Sequence, residues 1–114
     1  MQSLGKVLVT GGAGFIGTEL VEQLYIKGYE VTILDKQDKP MGLDHVKYIK
    51  GDLSSPARCV MACAGQDYVI HLAAKARIPE SFINPDEYFD SNVVGSRNIL
   101  TAASAVGVRK FVYA

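Results

Sequence analysis

Thr10-Gly11-Gly12-Ala13-Gly14-Phe15-Ile16-Gly17 follows an apolar run, Val7-Leu8-Val9, and leads into a stretch of helical periodicity. Strand, glycine turn and helix in that order build a corner suited to phosphate. A second apolar run, Val31-Thr32-Ile33-Leu34, ends in Asp35. Gly12-x-Gly14-x-x-Gly17 with an acid about 20 residues on reads as a dinucleotide site. Gly11 and Gly12 let the chain turn sharply out of the strand, where positive φ suits glycine. Gly14, without a Cβ, lets a pyrophosphate approach the main chain. Gly17 lets the helix pack tightly on the sheet. The first helical turn presents unpaired N–H groups and the positive end of its dipole to an anion.

Outward from this corner, strand and helix alternate. Lys6 to Thr10 is the first predicted strand, and Phe15 to Lys27 a helix with Ile16, Leu20, Val21 and Leu24 on one side. Gly28 is placed to end it. Glu30 to Asp35 is the second strand. The polar stretch from Lys36 to His45, with Pro40 and Gly42, reads as a loop. Val46 to Lys50 is the third strand. Ser55 caps a helix that opens on Pro56 and runs to about Ala64. Asp67 to Ala73 is the fourth strand. Asn84 caps, and Pro85 opens, a long helix to about Ala105, with Phe89, Val93, Ser96, Leu100, Ala103 and Val106 as its packed stripe. Gly107 ends it, and a fifth strand begins at Lys110.

This series predicts an α/β fold: a Rossmann-type, doubly wound parallel sheet of five strands in the order 3-2-1-4-5. The connections diverge between strands 1 and 4, so ligand belongs at the carboxyl ends of the strands there. Asp35 can accept from both hydroxyls of an adenosine ribose, and a 2′-phosphate would meet like charge. NAD is therefore favoured over NADP, although Lys36 could soften that repulsion. Asp52, at the end of strand 3 with Leu53, either takes the adenine amino group or is an ordinary turn acid.

The bulk properties exclude other classes. The 114 residues suffice for one small domain, here a dinucleotide-binding one spanning residues 1–114. The chain is 48% hydrophobic and 21% charged, a globular balance. Twelve basic and twelve acidic residues cancel, so no basic excess advertises nucleic acid or an anionic membrane. No run approaches the roughly 18 apolar residues of a membrane span, and a cytoplasmic location is the default. Cys59 and Cys63 share one helical face. They lack the further donors of a zinc site, so buried inert thiols are expected and no metal. His71 reads as a satisfied core histidine.

Thr10-Gly11-x-x-Gly14-x-x-Gly17, Gly51-Asp52-Leu53, His71-Leu72-Ala73-Ala74 and Asn92-x-x-Gly95-Ser96 together resemble the extended short-chain dehydrogenase/reductase family. Its NAD-dependent sugar-nucleotide epimerases and dehydratases match most closely in character, and Lys75-Ala76 with Glu80-Ser81 is similar to the epimerases. The resemblance implies NAD as cofactor and a nucleotide-sugar substrate in a full-length form. It implies that the amides of Phe15 and Ile16 face the pyrophosphate and that Ala73 and Ala74 line the nicotinamide side. By the same resemblance Asn92 orders the active site, and Gly95 and Ser96 allow close helix packing. Lys75 would reach a cofactor phosphate or the nicotinamide ribose; its bland alternative is a solvated loop lysine.

The family's chemistry uses a tyrosine with a lysine four positions later, which lowers the phenol pKa for proton exchange with substrate. Here Tyr25, Tyr29, Tyr48, Tyr68 and Tyr88 are followed at that spacing by Tyr29, Ile33, Asp52, Leu72 and Asn92, and Tyr113 lies too near the end. No catalytic residue is therefore assigned. The chain reads as the N-terminal part of a longer enzyme or a gene cut short, inactive alone. Its fifth strand would leave apolar sheet surface exposed, so a homodimer, aggregation or dependence on NAD is expected. A stand-alone NAD(P)-binding module and a decayed, non-catalytic interaction protein are the alternatives.

Overall fold

A computed structural model describes residues 3–72 and 93–113. The elements are β1 (Lys6–Thr10), α1 (Phe15–Lys27), β2 (Glu30–Asp35), β3 (Lys47–Lys50), α2 (Pro56–Cys63), β4 (Tyr68–His71), α3 (Gly95–Val106) and β5 (Lys110–Tyr113). The five strands form one parallel sheet in the order β3-β2-β1-β4-β5, the predicted Rossmann-type arrangement. Strands β1, β2 and β4 carry near-continuous apolar runs because both faces of a parallel sheet are covered. Successive side chains leave the sheet on opposite sides. Val7, Val9, Val31 and Ile33 thus pack toward α1 with Val21, Leu43 and Val46. Leu8, Leu34 and Val69 pack on the other face with Leu53, Cys59, Ala62, Cys63, Ile99, Ala102 and Ala103. Each such aliphatic side chain taken fully from water contributes about 1.5–3 kcal/mol before chain entropy is charged against it.

The helix ends follow local chemistry. Ser55 Oγ accepts from Arg58 N and Pro56 opens α2, as its sequence predicts. Gly28 (φ 106°) and Gly107 (φ 79°) close α1 and α3 in the left-handed region. A residue with a Cβ would be strained at either.

The packed stripes differ from expectation. In α1, Ile16 is 73% exposed, and the buried pair is Gly17 and Val21, with Leu20 and Leu24 packed alongside. The helix turns its glycine, not its isoleucine, onto the backbone of the preceding turn rather than the sheet, because only a glycine fits that closely. Val93, just ahead of α3, and Leu100 and Val106 within it are exposed, and Gly95, Ile99, Ala102 and Ala103 are buried. The predicted stripe followed the largest apolar residues. The close approach of α3 to α2, where Cys59, Ala62 and Cys63 face it, selects small ones instead. Strand β3 begins at Lys47 rather than Val46, which is nonetheless buried just ahead of it. Strand β4 is Tyr68–His71, shorter than expected. A π-helical turn at Val93–Val94 leads into α3, and the predicted helix start at Asn84 and Pro85, with Phe89, lies outside the described residues. On β5, Val112 is 44% and Tyr113 61% exposed, so apolar surface is open there.

Candidate dinucleotide-binding site

The glycine corner is held by three separate constraints. Gly11 has φ 80°, and its N–H donates to the Leu34 carbonyl at 3.0 Å, which ties the turn to β2. Gly12 needs no positive φ: a Cβ there would lie 2.8 Å from Ile33 Cγ1. Its requirement is packing against β2, not turn conformation. A Cβ on Gly17 would collide with the Gly11 carbonyl oxygen and stand 2.7 Å from Gly12 Cα, so the helix rests directly on the turn's backbone. Gly14 is different. Its conformation is extended (φ −75°, ψ 174°), and a Cβ would meet only the Gly11 oxygen at 3.5 Å. Gly14 caps α1 with no side-chain hydrogen bond, so no cap occupies the first-turn amides that follow, those of Phe15, Ile16 and Gly17.

Asp35 lies across from this corner at the carboxyl end of β2 and is 9% exposed. Its Oδ2 accepts from Ala13 N at 3.2 Å and its Oδ1 from Gln37 N at 3.0 Å. The carboxylate is thus joined to the glycine turn itself, the juxtaposition that the spacing of motif and acid predicted. Asp52 Oδ1 accepts from Ser54 N at 2.9 Å, a local turn bond. Asp52 nevertheless borders the same cleft, as does Leu53, which is buried and whose carbonyl accepts from Asn98 Nδ2. Gly11, Gly14, Leu34, Asp35, Lys36, Gln37, Gly51, Asp52, Leu53 and Leu72 line a cleft of about 250 Å³. That is below the roughly 300–1,000 Å³ of pockets that enclose a drug-sized ligand.

Of the residues expected to bind cofactor, Gly11, Gly14, Asp35, Asp52 and Leu53 converge on this cleft. Gly17 packs on the turn's backbone, and Phe15 and Ile16, which open α1 after Gly14, have exposed side chains and are not among the residues that line the cleft. Ala73, Ala74, Lys75 and Asn92 lie outside the described residues. Gln37 was missed, and the signal that could have found it is Asp35 itself, whose side chain can accept from the backbone N–H two residues on. Gly51 and Leu72 belong to the Gly51-Asp52-Leu53 and His71-Leu72-Ala73-Ala74 motifs but were assigned no binding role, and with Leu34 they line the cleft.

The switch point between β1 and β4 is closed by hydrogen bonds. Leu72 N donates to the Thr10 carbonyl at 2.9 Å and lies 3.1 Å from Thr10 Oγ1. His71, 1% exposed, has Nδ1 2.6 Å from Thr10 Oγ1 and Nε2 2.9 Å from Ser96 Oγ. It is the satisfied core histidine that the sequence predicts, and it ties β1, β4 and α3 together. Burial holds its pKa below the ordinary 6.5. In the unfolded chain the imidazole regains that ordinary value and binds more protons below it. Stability is therefore level above about pH 6.5 and declines as pH falls below it. Urea midpoints at pH 7.5 and 5.5 check this: the wild type loses stability on acidification, and His71→Gln loses less.

Cys59 and Cys63 are buried and unbridged. Burial, then the nearby Asp52 charge, pushes the Cys59 thiol up to about 11. Burial, then Cys59, pushes Cys63 up to about 12. Both are neutral thiols at physiological pH and serve as core. Among the described residues no group of three or more His, Cys, Asp or Glu side chains is placed to hold a metal ion. No described helix is long and apolar enough to cross a membrane.

Comparison with known proteins bears on this geometry. A family model described as the NAD dependent epimerase/dehydratase family matches residues 7–114. The chain is 36% identical over 120 residues to a UDP-glucose 4-epimerase of Klebsiella pneumoniae, covering 95% of this chain and 86% of that protein. It is 37% identical over 116 residues to a 3-beta-hydroxysteroid dehydrogenase of Mycolicibacterium neoaurum, covering 96% and 31%. The solved structure of MoeE5 in complex with UDP-glucose and NAD superimposes with a TM-score of 0.86 at 36% identity, over 96% of this chain and 36% of that one. The chain spans about a third of the length of most curated relatives it matches. Fold, glycine corner and family match agree, and the chain belongs to the NAD dependent epimerase/dehydratase family.

Proposed function

We propose that this chain is the NAD-binding part of an NAD-dependent epimerase/dehydratase that acts on a nucleotide sugar by reversible hydride transfer. The observation that carries the reading is the bond between Asp35 Oδ2 and Ala13 N. It brings the acid that would hold a ribose and the turn that would hold a pyrophosphate into one site. The diphosphate lies against the amides of Phe15 and Ile16, and Gly14 leaves room for it. Asp35 accepts from the adenosine ribose hydroxyls, and Asp52 and Leu53 border the adenine. By family resemblance Ala73, Ala74, Lys75 and Asn92 serve the nicotinamide half. Bound NAD supplies hydride exchange at one substrate carbon.

The nucleotide-sugar assignment is supported by the UDP-glucose 4-epimerase relative and by the UDP-glucose in the MoeE5 structure. The steroid dehydrogenase matches this chain to a similar identity, so the likeness to relatives does not by itself single out a nucleotide sugar. Tyr25, Tyr29, Tyr48, Tyr68 and Tyr88 are followed four positions on by residues other than lysine, so none of these five supplies the tyrosine and lysine pair.

Calorimetric titration with NAD tests the reading. Asp35→Asn removes charge-assisted bonds to the ribose, each worth about 1.5–3 kcal/mol, and should weaken NAD at least about tenfold. Unchanged affinity in that variant would overturn the assignment.

A further inference from the structure

The segment after β2 has no regular structure, yet it is fastened to the neighbouring strand. Tyr48 Oη on β3 donates to the Gln37 carbonyl at 2.7 Å. Lys50 Nζ, two residues along, meets Asp38 Oδ1 at 2.6 Å. The parallel register sets Tyr48 beside Ile33 and Lys50 beside Asp35. Residues two apart share a face, so all four leave the sheet on the side of the glycine corner. The residue whose carbonyl Tyr48 holds is the one whose N–H, in the preceding peptide, reaches Asp35 Oδ1.

We propose that Tyr48 is a positioning residue for Asp35: by holding the Gln37 carbonyl it fixes that residue's backbone, whose N–H orients the carboxylate toward the adenosine ribose, and so sets the preference for NAD over NADP. This rests on the ribose-binding role proposed for Asp35. An ionised carboxylate has about four acceptor positions. Ala13 N takes one on Oδ2 and Gln37 N one on Oδ1, which leaves one on each oxygen for two neighbouring hydroxyls.

Of the two fastenings, the tyrosine is the firmer. The Lys50 and Asp38 side chains are 61% and 91% exposed, and so open an ion pair holds little. The Tyr48 ring is half-buried and packs against the apolar cluster around Ile33. Burial, then the Asp35 and Asp38 charges, raises its phenol to about 12, so the donor proton stays in place at working pH. When the hydroxyl is lost, Gln37 and Asp35 sample other orientations. NAD must then select the competent one, and its apparent affinity falls by the fraction that remains competent. A 2′-phosphate lacks the intact diol and meets the charge in any orientation, so NADP loses less.

Tyr48→Phe keeps the ring and removes only the hydroxyl. The expected result is an NAD Kd raised about three- to tenfold, a smaller change for NADP, and a lower NADP-to-NAD Kd ratio. Amide hydrogen exchange at Gln37 should quicken. In an Asp35→Asn background, Tyr48→Phe should have no further effect on NAD, because it acts through the carboxylate. Equal weakening of both cofactors, unchanged NAD affinity, or a full additive loss in the Asp35→Asn background would overturn the proposal. Asp35→Asn alone separates the two readings. If it leaves NAD binding intact, the ribose assignment fails. If it weakens NAD and Tyr48→Phe does not, only the positioning role fails.

Discussion

Gly14→Val should abolish NAD binding and leave the chain folded. The backbone at Gly14 is extended, at φ −75° and ψ 174°, so a branched residue adopts it without strain. A Cβ there touches nothing closer than the Gly11 oxygen at 3.5 Å, an ordinary contact. The added methyl groups enter the space that a pyrophosphate needs in front of the first-turn amides of α1. Losing two or more charge-assisted amide bonds at about 1.5–3 kcal/mol each weakens binding by more than about a hundredfold. The folding cost is that of an unfavourable N-cap, roughly 1 kcal/mol. Circular dichroism melts beside NAD titration measure the two effects separately. A variant that binds as tightly as the parent would show that the diphosphate does not lie at this turn.

Gly17→Ala, three positions on, should do the opposite and damage the fold itself. The alanine methyl would collide with the Gly11 carbonyl and press on Gly12 Cα at 2.7 Å. Both obstacles are backbone, and Gly11 is tied to β2 through Leu34, so the strain cannot be relieved by a side-chain rotation. Alanine gains up to about 1 kcal/mol over glycine in helix propensity. Overpacking against an immovable backbone lies at or beyond the upper end of its usual range, about 3 kcal/mol. For a chain of this size a net loss of about 2 kcal/mol lowers Tm by roughly 10 °C. Differential scanning calorimetry without NAD checks this, and an unchanged Tm would mean that the helix does not rest on the turn.

The contrast between these two glycines shows how much of the site the sequence discloses. The Gly-x-Gly-x-x-Gly spacing predicts a glycine corner, and the distance to Asp35 predicts its acidic partner. Both are local patterns, repeated in any chain that must turn from strand to helix in front of an anion. Strand positions were legible for a similar reason: with both sheet faces covered, β1, β2 and β4 are apolar throughout. The reason for each glycine was less legible. Gly12 answers to Ile33 on another strand, and no local pattern announces that contact.

Helix faces were misread where packing partners decide. In α3, Leu100 is 53% exposed while Ala102 and Ala103 are buried, because α2 offers small residues and admits close approach. Leu43 is similar: it sits in a polar loop yet is 2% exposed, drawn into the cluster beneath α1. Hydrophobic size and period say which residues seek burial. They do not say how near the neighbouring element will come.

Chain order and residue type alone thus determined the alternation of elements, the parallel sheet and the identity of the glycine corner with its acid, since these follow from short-range periodicity and backbone freedom. Tertiary structure alone decided which face of α3 is buried, that His71 joins Thr10 to Ser96, and that Tyr48 reaches Gln37 from an adjacent strand. Those contacts join residues 11 to 61 positions apart, and no local rule ranks one such pairing above its competitors until the sheet register brings the partners within bonding distance.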